Sequence, residues 1–186
     1  MRFKRRRSSP RLASFDYVGP HAYHLILTTH NRLPRFRDAR LVADCLDDLT
    51  ASTKRYAFQV LAYCFMPNHL HLLMTGDDGA PLTRFVQHFK QATGHRQPGL
   101  WQRSSYDHVL RYEEAVEDVA HYIWGNPVRA GLAEDAVEYA FSGPREILLA
   151  EAGRHPHAED RAEALSLRSG APQAVETPKE ARAWKP

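Results

Sequence analysis

The chain has 186 residues, 43% of them hydrophobic, and a formal net charge of +3. That length supports one sizeable core rather than two, and its two cysteines, Cys45 and Cys64, lack CxxC spacing and read as buried thiols in a reducing compartment. No apolar run approaches the roughly 20 residues of a membrane span and no apolar signal segment follows the basic N-terminus, so a cytoplasmic protein without a membrane partner is expected.

The charge is unevenly placed. Arg2, Lys4, Arg5, Arg6, Arg7 and Arg11 make the start of the chain basic without an acid, whereas residues 12–150 hold 13 basic against 16 acidic side chains. An arm of this kind contacts phosphates when it has a task, with Arg5, Arg6 and Arg7 at its centre; otherwise it is a solubilising end. The expected division is a basic arm over residues 1–20, one domain over 21–148, and a disordered tail over 149–186, where Ala, Glu, Arg and Pro replace apolar patterning.

Tyr23 to Thr29 is β-prone and apolar enough to be a central strand. After a break containing Pro34, Leu41, Val42, Cys45, Leu46 and Leu49 recur at helical spacing, with Asp38 as N-cap and an end near Tyr56. Phe58 to Met66 is a second strand. Pro67-Asn68 turns it into a third, His69 to Thr75, as an antiparallel hairpin. Leu82, Phe85, Val86 and Phe89 mark a second helix whose polar face carries Arg84, Gln87, His88, Lys90 and Gln91, and a loop is expected from Gly94 to Gly99. Tyr106 to Arg111 reads as a fourth strand. A third helix starts near Glu113, is interrupted at Gly125-Asn126-Pro127, and is followed by a short turn from Val128 to Leu132. The order β-α-β-β-α-β-α predicts an α+β, ferredoxin-like antiparallel sheet with helices packed on one face and a later helix beyond them.

The chemistry starts in the third strand. Side chains two apart share a face, so His69 and His71 project together while Leu70 and Leu72 enter a core. Two neutral imidazoles on a rigid strand are half of a divalent-metal site; on spacing alone they are as readily two ordinary polar residues of a sheet face. On the third helix Asp118, Tyr122 and Asn126 fall in one column, beside the apolar stripe. A tyrosine can attack phosphorus when the phosphate charge is screened and its phenol is deprotonated or held in place. A cation at His69 and His71 would supply the screening, and Asn126 an oxygen donor suited to Mg²⁺ or Mn²⁺. Tyr106 and Tyr112 are the rival nucleophiles. Asn126 before Pro127 is equally a helix start, and Asp118 reads as a solvated helix-face acid.

Met66-Pro67-Asn68-His69-Leu70-His71-Leu72-Leu73, Leu100-Trp101-Gln102-Arg103 and Tyr122-Ile123-Trp124-Gly125-Asn126-Pro127-Val128-Arg129-Ala130-Gly131-Leu132, in that order, resemble the single-tyrosine HUH transposases, and more narrowly the REP-associated tyrosine transposases of bacteria. The resemblance implies a metal-dependent endonuclease and strand transferase for single-stranded DNA with hairpins. It makes His69 and His71 the metal pair, Tyr122 the nucleophile that takes the DNA 5′-phosphate, and Asn126 the residue near the metal. Arg84, Lys90, Gln91, Trp101 and Arg103 are the expected DNA contacts beside the arm, by phosphate binding and base stacking. The chain is expected to work as a monomer or a homodimer. Two other classes stay open: a non-catalytic hairpin-binding protein on the same fold, and a hydrolase of small phosphoesters.

Overall fold

Along β1 (Ala22–Thr28) half-buried and buried side chains alternate without a break, and Tyr23, Leu25 and Leu27 are fully enclosed. The computed structural model describes residues 16–110 and 115–154; Arg5, Arg6, Arg7, Tyr112 and the tail beyond Arg154 lie outside the described residues. α1 (Ala39–Tyr56) begins where Asp38 Oδ1 accepts the Arg40 and Leu41 amides at 2.9 and 3.4 Å, satisfying two donors that a helix start leaves orphaned. It ends where Ala57 turns left-handed at φ 55° and its N–H bonds Thr53 O.

β2 (Phe58–Met66) and β3 (His69–Gly76) form the expected hairpin, with Met66 opposite His69 across Pro67-Asn68. The turn is held from outside. Thr29 donates to Asn68 O from its backbone at 3.0 Å and from its hydroxyl at 2.9 Å, and Phe36 N donates to Pro67 O at 3.0 Å. A bulge between Val60 and Ala62 shifts the alternation of β2. Phe58 and Val60 face one core before it and Tyr63 and Phe65 after it, while Leu61 and Ala62 in succession face the other side.

α2 runs from Leu82 to Arg96 and β4 from Tyr106 to Val109. The helix therefore passes through Gly94, where a loop is expected from sequence. A glycine costs a helix interior only about 1 kcal/mol relative to alanine, and the buried side chains of Phe89 and Thr93 hold the last turns down. β5 (Ser142–Gly143) completes a sheet of order β4-β1-β3-β2-β5, antiparallel at every pairing. Each crossover helix skips one strand, as the ferredoxin-like order predicts.

The sheet has two unlike faces. Tyr23, Leu25 and Leu27 of β1 with Leu70, Leu72 and Met74 of β3 pack beneath α1 and α2, joined by Phe85 and Phe89. On the other face α3 (Val116–Trp124) sets Ala120, Ile123 and Trp124 against Ala62, Cys64, Met66 and Leu73. Trp124 Nε1 donates to Gly143 O at 2.9 Å, which ties α3 to β5. α3 covers the β2 end of this face, and the β1–β3 strip beside it carries the histidines. α4 (Asn126–Arg129) follows α3 almost at once, and α5 (Arg145–Arg154) runs through the expected boundary at residue 148. By contacts the chain divides into one unit over Met1–Ala150 and a second over Glu151–Pro186, of which only the end of α5 is described. Among the described residues no helix is long and apolar enough to cross a membrane.

Candidate active site

Register places the imidazoles. On β3, His71 lies opposite Ile26 of β1 and Cys64 of β2, and His69 opposite Thr28 and Met66. His69 Nε2 and His71 Nε2 are 3.0 Å apart. His69 Nδ1 lies 2.6 Å from Asn68 Oδ1. An amide oxygen only accepts, so Nδ1 of His69 carries the proton and its Nε2 presents a lone pair. On the far side of His71, its Nδ1 lies 3.1 Å from Nε2 of His24 on β1, and the two rings stack at 5.3 Å. Sequence reasoning missed His24. It stands inside an apolar strand, and only the diagonal offset between β1 and β3 brings it to His71.

These imidazoles are neutral at ordinary pH. Burial pulls His71 down to about 3, with His69, His24 and the Arg129 charge adding to it. Burial, then His108, takes His24 to about 4, and burial followed by Arg32 lowers His69. Neutral imidazole is the metal-binding form. Cys64, beside His71, is pushed up by burial to about 11 and stays a thiol rather than offering a thiolate.

The donor set suits a divalent cation. Two nitrogen ligands at right angles on one ion, each at about 2.1 Å, stand about 3 Å apart, and the Nε2–Nε2 separation of 3.0 Å matches. His24 is not a third ligand of that ion, because it meets His71 on the opposite ring nitrogen. Among the described residues no group of three or more His, Cys, Asp or Glu side chains is arranged to hold a metal. Oxygen donors from an amide, water or a substrate phosphate would complete the shell.

Tyr122 stands over this strip. The residue is 52% exposed, and its ring lies edge-on to His71 at 6.4 Å and to His24 at 6.3 Å. The end of α3 is shaped by Pro127, which has no N–H for the carbonyl of Ile123. Asn126 Nδ2 takes over and donates to Ile123 O and Tyr122 O, both at 3.1 Å. Arg129 Nη2 also donates to Tyr122 O at 2.6 Å, and its guanidinium lies 4.5 Å from the Tyr122 ring centre. Gly125 makes room for that fold-back: a Cβ there would stand 2.7 Å from Arg129 Nη1. The helical column of Tyr122 and Asn126 thus survives the proline, since Gly125 keeps α-helical angles.

Other expected site residues are placed elsewhere. Tyr106 is on the same sheet face, 48% exposed, but pairs with Ile26 on β1, so one strand separates it from His71. Trp101 donates through Nε1 to Thr93 Oγ1 at 2.7 Å and packs on Phe36 and Phe89, which makes it part of the first core's rim. Lys90 Nζ binds the carbonyls of Gln102 and Ser104 at 2.9 and 3.3 Å and so shapes that loop. Arg84, Gln91 and Arg103 are exposed, and Arg84 and Gln91 ride on α2, across the sheet from the histidines. The structure does not bring these five side chains together with Tyr122. It supplies other cations instead: Arg129 at the tyrosine, and Arg32, reached through two successive left-handed residues, Asn31 and Arg32 at φ 54° and 55°, whose charge acts on His69.

Residues 17–124 match the family described as Transposase IS200 like. The chain belongs to the IS200-like transposases. A Haemophilus influenzae protein named "Putative REP-associated tyrosine transposase" is 26% identical over 127 residues, which are 57% of this chain and 72% of that protein. The solved structure of a REP-associated tyrosine transposase bound to a REP hairpin superposes with a TM-score of 0.60 at 17% identity, covering 71% of this chain and 81% of that one. The resemblance read from the three motif blocks is borne out, and so is the α+β sheet with helices packed on it. For this IS200-like transposase the match ends at Trp124, two residues beyond Tyr122, so Asn126 and Arg129 lie past the matched segment.

Proposed function

We propose that this transposase nicks and rejoins single-stranded DNA through Tyr122, reading hairpin-forming DNA of the kind bound by its structural relative. The observation that carries the reading is the exposed Tyr122 ring set edge-on against His71, whose Nε2 is 3.0 Å from that of His69. A Mg²⁺ or Mn²⁺ ion bound by His69 and His71, with the amide oxygen of Asn126 as a further donor, would screen the phosphate and polarise its P–O bonds.

The chain's own residues do the rest. Arg129 and the α3–α4 joint hold Tyr122 in place, and the neutral histidines leave their ring nitrogens open to a cation beneath it. Tyr122 Oη bonds to phosphorus and loses its proton to solvent. The P–O3′ bond breaks, leaving a 5′-phosphotyrosine and a 3′-alkoxide that takes a proton from water. A second DNA 3′-hydroxyl reverses the exchange, and the phosphodiester energy is conserved without ATP. Arg32 and Arg129 offer phosphate contacts at two sides of the histidine pair.

The test is covalent trapping. Full-length protein with hairpin-bearing single-stranded DNA and Mn²⁺ should give a denaturation-resistant adduct that is lost in Tyr122→Phe. An adduct that persists in that variant would move the nucleophile to another residue, Tyr106 first. Tight hairpin binding with no adduct under any metal condition would favour the non-catalytic binding protein.

A further inference from the structure

Resting on the metal-pair reading above, we propose that His24 is a positioning residue which sets the tautomer of His71 and thereby opens the cation site. The protons can be placed one by one along a chain of four side chains. Asn68 Oδ1 holds the proton of His69 on Nδ1, so His69 Nε2 presents its lone pair toward His71. A cation held by both Nε2 atoms needs the lone pair of each, which puts the proton of His71 on Nδ1. His71 Nδ1–H then donates to His24 Nε2 at 3.1 Å.

The opposite tautomer of His71, with its proton on Nε2, is the blocked form, because it withholds one of the two lone pairs. The atom that decides between them is His24 Nε2, which faces His71 Nδ1. Imidazole suits this position because the same nitrogen donates in one tautomer and accepts in the other. With His71 and His24 each carrying its proton on Nδ1, both histidines are neutral and the cation side is open. A group that only donates would hold His71 in the blocked form. A group with no polar atom would leave the buried Nδ1–H of His71, a residue 4% exposed, without an acceptor.

The geometry confines His24 to this task. Its ring meets His71 on the nitrogen opposite the cation side, it stacks on His71 at 5.3 Å, and its edge meets the Tyr122 ring at 6.3 Å. Partners at this distance from a metal orient the ligand ring and typically change affinity about 10- to 100-fold when removed. Sharing ring contacts with both His71 and Tyr122, His24 aligns the cation site with the nucleophile.

The experiment uses full-length, chelator-stripped protein and Mn²⁺ alone, with free Mn²⁺ read by electron paramagnetic resonance. His24→Phe should weaken Mn²⁺ binding about tenfold or more, whereas His24→Gln, whose amide can both donate and accept, should stay within about threefold of wild type. Wild-type affinity in His24→Phe, together with lost binding in the double variant His69→Ala/His71→Ala, overturns the proposal and leaves the metal pair standing. Undiminished binding in the double variant overturns the pair itself, and His24 with it. Failure of His24→Gln to bind better than His24→Phe reduces His24 to a space-filling ring and overturns the proposal. Should His24→Phe not fold, the ¹⁵N resonances of His71 in the wild type decide: saturated with Mg²⁺ the ring should carry its proton on Nδ1, and a proton on Nε2 overturns the proposal.

Discussion

Gly125 has no side chain, and the guanidinium of Arg129 occupies the space where one would be. The pair bears on Tyr122 from both sides: the cation lies 4.5 Å from the ring centre and bonds the residue's own carbonyl. Gly125→Ala should therefore separate activity from stability. The nearest obstructing atom is the far end of a flexible arginine, with the His121 carbonyl oxygen next at 3.2 Å, and alanine gains up to about 1 kcal/mol at a helical position. The melting temperature should hold or rise while adduct formation slows about threefold to tenfold, the loss expected from a displaced cation–π partner. Arg129→Leu should slow adduct formation by a similar factor. An unchanged rate in both variants would remove Arg129 from the positioning of Tyr122. Residues of this kind explain the limits of the sequence. His69 and His71 were visible because strand alternation alone puts them together, and Tyr122 because helical spacing and motif agreed. His24 was not, since diagonal contact between β1 and β3 depends on register that no local pattern encodes. Trp101 and Lys90 show the opposite case. Sequence offers a ring and an ammonium group as DNA contacts, and the fold also gives them intramolecular partners, Thr93 and a loop's carbonyls.

Elements were legible where their ends carry their own chemistry. Asp38 announces α1 and performs the cap, and Pro67-Asn68 announces the hairpin. Asp38→Ala should lower stability by about 1 kcal/mol in chemical denaturation, without effect on Mn²⁺ binding. β5 has only two residues and is held by pairing with Tyr63 and Cys64, so nothing in Ser142-Gly143 itself signals a strand. The α3–α4 joint lies between these cases. Its sequence fits both a ligand and a helix end, and the amide of Asn126 satisfies two carbonyls there, one of them orphaned by Pro127. Asn126→Asp tells the two roles apart. A carboxylate cannot donate to Ile123 O and Tyr122 O and places negative charge at a helix C-terminus, so stability should fall by about 1–2 kcal/mol. If Asn126 also serves the cation through its oxygen, the same variant should hold Mn²⁺ at least as tightly as wild type. A weaker grip on Mn²⁺ in Asn126→Asp would confine the residue to the helix joint.

Across the whole molecule the histidine strip makes folding sensitive to acid. His71 titrates near 3 and His24 near 4 in the folded chain, His69 is also lowered, and burial is the first cause each time. In the unfolded chain each returns to about 6.5. Between those limits the unfolded state binds more protons than the folded one, so stability rises with pH. Depressed histidines are thus fully stabilising only above about 6.5, and the advantage drains away as pH falls toward 4 and 3. The groups facing them are His108 opposite His24, Arg32 beside His69, and Arg129 with Tyr122 from the α3–α4 side. The two cations deepen the effect, and among the described residues no carboxylate offsets it at any of the three histidines. Chelator-treated protein should lose several kcal/mol of stability between pH 7 and pH 4 on this account, on the order of 1.4 kcal/mol for each pH unit by which folding lowers a histidine. His24→Gln with His71→Gln should flatten that slope, and a wild-type slope in the double variant would assign acid sensitivity to carboxylates elsewhere. Mn²⁺ should steepen the wild-type dependence, because protons and the cation compete for the same two Nε2 lone pairs. A slope indifferent to Mn²⁺ would mean that His69 and His71 are not where the ion binds.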